Sequence, residues 1–105
     1  MIQSNTRLVC RVVNRHKEYF DIYIGRGTIW GNPYKDMPRE KAIALFQPYF
    51  INQIKTGQIT IDDVKSLYGK RLGCSCKPLP CHGDFIVRVV NKICGVKVNN
   101  LDFLS

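Results

Sequence analysis

Residues 74–84 read C-S-C-K-P-L-P-C-H-G-D, and no other segment limits the fold as tightly. On its upstream side, Arg71 to Cys76 reads as a short strand, on which Cys74 and Cys76 project to the same side because strand side chains alternate. On its downstream side, Ile86, Val89, Val90 and Ile93 recur at helical spacing, so a helix starts just after His82. Pro78 and Pro80 stiffen the stretch between. A strand must therefore hand over to a helix here, gathering three thiols and an imidazole within a small radius.

The rest of the chain supplies the elements this turn needs. Leu8 to Val13 is an apolar, β-branched run that predicts a buried strand. Asn14 to Glu18 is polar and turn-like. Tyr19 to Ile24 alternates, with Phe20, Ile22 and Ile24 on one face, and predicts a second strand. Residues 25–34, G-R-G-T-I-W-G-N-P-Y, hold three glycines, an Asn-Pro step and the single tryptophan, the composition of a structured loop. Pro38 suits the first turn of a helix whose apolar face is Ile43, Phe46, Phe50 and Ile54. Pro48 predicts a kink there or a split into two shorter helices. Thr60 reads as the N-cap of another helix, with Asp62 and Asp63 in its first turn and Ile61, Val64 and Leu67 on its buried side. Gly69 suits its end, and Gly95 that of the last helix. Val96 to Val98 adds a candidate edge strand. The order is β-β-loop-α-α-β-α. It predicts one α/β domain over residues 1–105, a small sandwich with a mixed sheet and three or four helices, like a fragment of a Rossmann or flavodoxin fold.

Composition narrows the function classes. Lysine and arginine outnumber acids 16 to 8, a formal net charge of +8 that attracts nucleic acid, nucleotides or phosphorylated metabolites. The basic residues are spread along the chain, which does not indicate a DNA-binding tail. No apolar run reaches the roughly 18 residues a membrane span needs. The first residues lack the pattern of a signal peptide, so the expected location is cytoplasmic, the host's cytoplasm for a phage product. Five cysteines without a secretory signal argue against a disulfide framework. Cys10 and Cys94, alone in apolar segments, read as small buried hydrophobes. His16, in a polar turn, reads as a surface residue.

Two loops carry candidate chemistry. In the first, Arg26 suits a phosphate, Thr28 offers a hydroxyl, Trp30 can cover a base or sugar, and the glycines allow close backbone approach to an anion. The same residues also fit a core anchor on a rigid turn. The segment matches neither common glycine-rich phosphate fingerprint. In the second loop, Cys74, Cys76, Cys81 and His82 form a Cys3His zinc candidate, although the adjacency of Cys81 and His82 makes shared tetrahedral coordination awkward. A second reading makes Cys81 a thiolate activated by the helix dipole and His82, a catalytic pair, with free N–H groups at residues 81–84 binding an anion. Asp84 fits a helix cap or a hydrogen bond to a ribose.

With both loops quoted, the chain resembles a family of bacterial and phage proteins catalogued as domain of unknown function 4326. Its two signatures are approximately G-R-P-S-x-W-G-N-P-[FY] and G-K-x-L-x-C-x-C-x-P-x-P-C-H-G-[DE]. Here they run from Gly25 to Tyr34 and from Gly69 to Asp84, with Gly27-Thr28 in place of Pro-Ser. The resemblance implies that Arg26, Trp30, Asn32, Cys76, Cys81, His82 and Asp84 form the working end, and it makes a phage origin plausible.

The expected function is a pocket for a nucleotide-like or ADP-ribose-like ligand between the W-G-N-P loop and the C-H-G-D helix start. Arg26, Thr28, Trp30, Gly31, Asn32, Cys76, His82, Gly83 and Asp84 are its candidate lining, at the strand ends where open α/β sheets place ligands. In a phage, such a pocket would sequester or degrade a host nucleotide signal used in defence. One alternative is a zinc-stabilised basic module that binds nucleic acid. Another is a hydrolase or transferase that uses Cys81 and His82 on a nucleotide derivative.

Overall fold

In the computed structural model of the protein, residues 10–95 are described. They form three strands, β1 (Arg11–Asn14), β2 (Ile22–Tyr23) and β3 (Arg71–Cys74), and three helices, α1 (Arg39–Lys55), α2 (Ile61–Lys65) and α3 (Gly83–Ile93). The α/β class and the element order follow the sequence pattern. The candidate strand at Val96–Val98 and the start of the first predicted strand at Leu8 lie outside the described residues.

The sheet corrects one expectation. Its order is β1-β3-β2 and both pairings are parallel, not mixed, among the described residues. Arg11 stands opposite Arg71 and Asn14 opposite Cys74, while Ile22 and Tyr23 face Leu72 and Gly73. The polar stretch after β1 does turn, with Lys17 N–H and Glu18 N–H both donating to the Asn14 carbonyl, at 3.0 and 3.1 Å. It then carries the chain across β3 and sets β2 down on the far side. Phe20 marks the crossing, because its ring lies over the middle of β3. A Cβ on Gly73 would stand 2.6 Å from the Phe20 Cγ, so any side chain there would push the crossing segment off the sheet.

The opposite face of the sheet carries the core. Ile24, Leu72 and Cys74 meet Phe46 and Phe50 of α1, Val64 of α2, and Ile86, Val89 and Val90 of α3, all buried. Phe46 and Phe50 stack with ring centroids 5.3 Å apart, and Phe85 sits edge-on to Phe50 at 6.2 Å, so α1 and α3 are joined through aromatic contact.

Helix α1 departs from expectation at both prolines. Pro38 occupies the N-cap position, with ψ at 145°, instead of the first turn. Pro48 neither ends nor splits the helix, which runs unbroken from Arg39 to Lys55. Pro48 and Ala44 are both exposed, so the carbonyl that loses its partner can turn to water. Helix α2 is held as predicted: Thr60 Oγ1 accepts from Asp63 N–H and Asp63 Oδ2 accepts from Thr60 N–H, both at 3.0 Å, a reciprocal capping box. Helix α3 stops at Gly95, which adopts φ of 78°. No helix of the described residues is long and apolar enough to cross a membrane.

The start of α3 is pressed onto the sheet. A Cβ on Gly83 would lie 2.6 Å from Ile24 Cδ1 and 3.0 Å from Val12 Cγ2. Ile24 is fully buried, so its methyl has no space to retreat into. Gly83→Ala is expected to lower stability by about 1–3 kcal/mol through overpacking, read as a lower denaturant midpoint at unchanged m-value. An unshifted midpoint would show that the contact yields freely.

Candidate functional site

Adjacent parallel strands β2 and β3 each release a loop at their carboxyl end, so the two sequence motifs emerge side by side. In the first loop the polar side chains serve the backbone. Thr28 Oγ1 donates to the Gly25 carbonyl at 2.8 Å and accepts from Trp30 N–H at 3.2 Å. Asn32 Oδ1 accepts from Tyr34 N–H at 2.9 Å, and its Nδ2 donates to the Ala42 carbonyl at 3.1 Å, tying the loop to α1. Gly31 is where the loop closes on itself, since a Cβ there would stand 2.7 Å from the Gly25 oxygen.

Trp30 is corrected from ligand cover to core anchor. It is only 6% exposed, with its ring centroid 6.2 Å from that of Phe50. An aromatic ring of this size stabilises most by leaving water, and the core beneath the loop takes it in. Of the residues predicted here, Arg26 is the one whose side chain stays exposed, and it makes no ion pair among the described residues.

In the second loop, His82 reaches across to the first. Its Nε2 lies 2.9 Å from the Ile24 carbonyl oxygen, a contact that requires the proton on Nε2. Its ring also meets Phe46 edge-on at 5.0 Å. Burial lowers its pKa, against the opposing pull of main-chain contacts at Ile24 and Trp30. The imidazole is therefore a neutral donor held in place, and Nε2 is not free to act as a base.

The helix start is likewise occupied. Gly83 N–H donates to Cys81 Sγ at 3.3 Å, Asp84 N–H to the Cys81 carbonyl at 3.1 Å, and Phe85 N–H to the His82 carbonyl at 3.1 Å. These amides, expected to be free for an anion, have partners within the turn. Asp84 holds the turn as well, since its Oδ2 accepts from Cys81 N–H at 3.2 Å and its Oδ1 from Lys77 Nζ at 2.7 Å. Asn14 adds a strut from β1, with Nδ2 donating to the Lys77 carbonyl at 2.7 Å.

The thiols do converge. Cys74 Sγ and Cys81 Sγ are 3.3 Å apart, and Cys76 N–H points at Cys74 Sγ at 3.4 Å. The hydrogen bond from Cys81 draws the Cys74 pKa well below that of a free thiol, and the same bond, with burial, pushes Cys81 up. Burial raises Cys76. The fourth predicted zinc ligand is missing from this cluster, because His82 Nε2 is directed at Ile24. Among the described residues no group of three or more His, Cys, Asp and Glu side chains is arranged to hold a metal ion, so Cys74, Cys76, Cys81 and His82 do not fit a zinc set.

Two adjoining cavities of about 410 and 420 Å³ open beside the first loop, sharing Arg26, Asn32 and Lys35 on their walls, and the second of them reaches across to the second loop. The first extends along Thr28, Gly31 and Tyr49. The second extends to Tyr34, Arg39, Cys76, Cys81 and His82. Arg26, Lys35 and Arg39 give the walls three cations, and no carboxylate lines either cavity. Gly83 and Asp84, both predicted to line the pocket, do not. The sequence reading missed Lys35, Arg39 and Tyr49. Arg39 was findable as the first residue of the helix after Pro38, and Lys35 as the residue after the W-G-N-P-Y motif. Tyr49 needed the three-dimensional path of α1.

Comparison with known proteins places the chain in a family. The family described as "Domain of unknown function (DUF4326)" matches residues 10–92. The chain is 52% identical over 92 residues to "Uncharacterized 12.4 kDa protein in nrdA-td intergenic region" of Enterobacteria phage T4, covering 86% of this chain and 85% of that protein. No solved structure matches.

The half-buried, hydrogen-bonded state of His82 has a consequence for acid stability. Its folded pKa is lowered, so the unfolded chain binds the extra proton first as pH falls. The contribution of the neutral ring is complete above the unfolded value of about 6.5 and is lost as pH drops through and below it. Unfolding free energy measured by denaturant titration should therefore fall from pH 7 toward pH 5, and more steeply in the parent than in His82→Gln. Equal slopes would refute the half-buried, neutral histidine.

Proposed function

The chain belongs to the DUF4326 family, and we propose that it binds an anionic nucleotide-like or ADP-ribose-like ligand in the cavities between its two motif loops. The observation that carries this reading is the wall of Arg26, Lys35 and Arg39, cations without ion-pair partners among the described residues, on cavities that no carboxylate lines. Three such charges converging on one concavity repel one another unless an anion lies between them. Guanidinium groups add two-point contact with phosphate oxygens.

Size and shape support the same class. Each cavity falls within the roughly 300–1,000 Å³ usual for small-molecule sites. Two lobes meeting at Arg26 and Lys35 suit a ligand with phosphate at its middle and a ring at either end. Tyr49 in one lobe and Tyr34 in the other, in edge contact at 6.0 Å, supply the aromatic surface that Trp30 does not. The crevice lies beyond the carboxyl ends of parallel strands, the usual ligand position in open α/β sheets.

Binding is favoured over turnover by the state of the two residues a Cys/His mechanism would use. Cys81 is 2% exposed and its sulfur contacts Cys74 and the Gly83 amide, while His82 donates to a main-chain carbonyl. The phage source of the relative suggests the setting, in which the protein withholds a nucleotide signal from its host. The same surface charge would also attract nucleic acid, and the test separates the two.

Calorimetry and native mass spectrometry against ADP-ribose, NAD, mononucleotides and cyclic dinucleotides form that test. At least one should bind at micromolar concentration, and Arg26→Ala and Arg39→Ala should each weaken it by about 10-fold or more while leaving the denaturant midpoint unchanged, as expected for loss of a charge-assisted hydrogen bond. Absence of binding across the panel overturns the proposal. Binding of an oligonucleotide alone, with steep salt dependence, replaces it with the nucleic-acid reading.

A further inference from the structure

We infer that Cys74, Cys76 and Cys81 form a thiol–disulfide exchange site whose oxidising partners are low-molecular-weight disulfides such as glutathione disulfide. The inference stands apart from whatever the cavities bind, because it rests on the thiols alone. Cys74 Sγ and Cys81 Sγ face each other at 3.3 Å with no atom between them. A covalent bond between them would be about 2.05 Å long, so the sulfurs need approach by little more than about 1 Å. The two sulfurs come from opposite sides of the turn, one at the end of β3 and the other before α3. Both are 2% exposed and out of direct reach of a solute.

Cys76 provides the reach. It is half-buried, lines the second cavity, and its backbone N–H donates to Cys74 Sγ at 3.4 Å, which sets it beside the buried pair. A small disulfide entering the cavity therefore meets Cys76 first; burial raises the pKa of that thiol, and the Arg39 cation on the same wall offsets part of the rise. A glutathione carboxylate also suits that wall.

The steps balance as two successive exchanges and an internal transfer. The Cys76 thiolate attacks one sulfur of the small disulfide, whose S–S bond breaks and releases a thiolate that takes up a proton. Cys74 then attacks Cys76 Sγ, expels the second small thiolate, and forms a Cys74–Cys76 bond. Cys81 attacks Cys74 Sγ and returns Cys76 to its thiol, leaving the bond between the two buried sulfurs. In total two protein thiols lose two electrons and two protons, and one small disulfide becomes two small thiols. The sulfur that must attack second is already the more anionic: hydrogen bonds from Cys81 and from backbone N–H groups hold the Cys74 pKa down at about 5.

The remaining thiols provide an internal control. Cys10 is 1% exposed, and burial pushes its pKa up to about 12, so it is a poor nucleophile.

The experiment treats folded, reduced protein with glutathione disulfide, quenches with acid, alkylates in denaturant and maps the products by peptide mass spectrometry. The expected product is an intramolecular Cys74–Cys81 bond, with Cys10, Cys76 and Cys94 alkylated and full recovery of thiols on adding reduced glutathione. Cys76→Ser should slow formation of that bond by about 10-fold or more, since the entry thiol is gone. Cys81→Ser should stop the reaction at a Cys76 mixed disulfide or a Cys74–Cys76 bond. Two results overturn the inference: five alkylated thiols from the folded protein when a denatured control is oxidised under the same conditions, or a bond that maps to Cys10 and Cys94.

Discussion

The hydrogen bond from His82 Nε2 to the Ile24 carbonyl, 2.9 Å long, is the contact on which the arrangement of this molecule turns. Residues 24 and 82 are far apart in sequence and belong to different loops. One begins the glycine-rich segment after β2 and the other leads into α3. Joining them brings both motifs to the same end of the sheet and leaves a cleft between. The bond lies in a low-dielectric setting, with Phe46 edge-on to the ring, where a donor without a partner would cost about 1–3 kcal/mol. Its geometry needs α3 close to the sheet, and Gly83 permits that approach next to the histidine itself.

Seen from this contact, the division of labour between structural and chemical residues becomes physical. A loop that leaves a sheet gives up its ladder partners and must satisfy its backbone groups by other means. Thr28, Asn32 and Asp84 do this work, each side chain bonding to main-chain groups close by or on a neighbouring element. They resemble binding residues in sequence because short polar side chains suit turns and ligands equally well. Trp30 lies under the loop for a related reason, since the loop needs a buried anchor. What remains for a ligand is the set whose charged ends cannot be buried in the core: Arg26, Lys35 and Arg39.

This explains what could be read from the sequence. The helical faces of α1 and α3, the Thr60 cap and the glycine stops were legible because each depends on residues a few positions apart. The strand-to-helix turn was legible for the same reason, and it located the cluster of three thiols. The parallel sheet was not legible, because Asn14 to Glu18 specifies a turn without saying on which side of β3 the chain comes down. That choice belongs to Phe20 lying over Gly73, a contact between residues more than fifty positions apart. Pro48 misled for a different reason. Its cost depends on whether the orphaned carbonyl faces water, which is a property of the packed helix. Burial decided Trp30, and burial is collective.

The basic cavity and the thiol cluster share a wall without cancelling each other, and the reason lies in who stabilises the anionic sulfur. A thiolate beside three cations would normally neutralise them and close the site. Here the Cys74 sulfur is held chiefly by the Cys81 thiol and by the N–H groups of Cys76 and Lys77. These are dipoles and short hydrogen bonds from within the turn, and their reach is short. Arg39 bears on Cys76. The buried sulfur pair therefore satisfies its own charge, and the guanidinium and ammonium groups keep theirs directed into the cleft. A turn with two prolines and three cysteines in nine residues can stabilise a negative charge on its inner side while Arg26, Lys35 and Arg39, from the other loop and the start of α1, line the cleft.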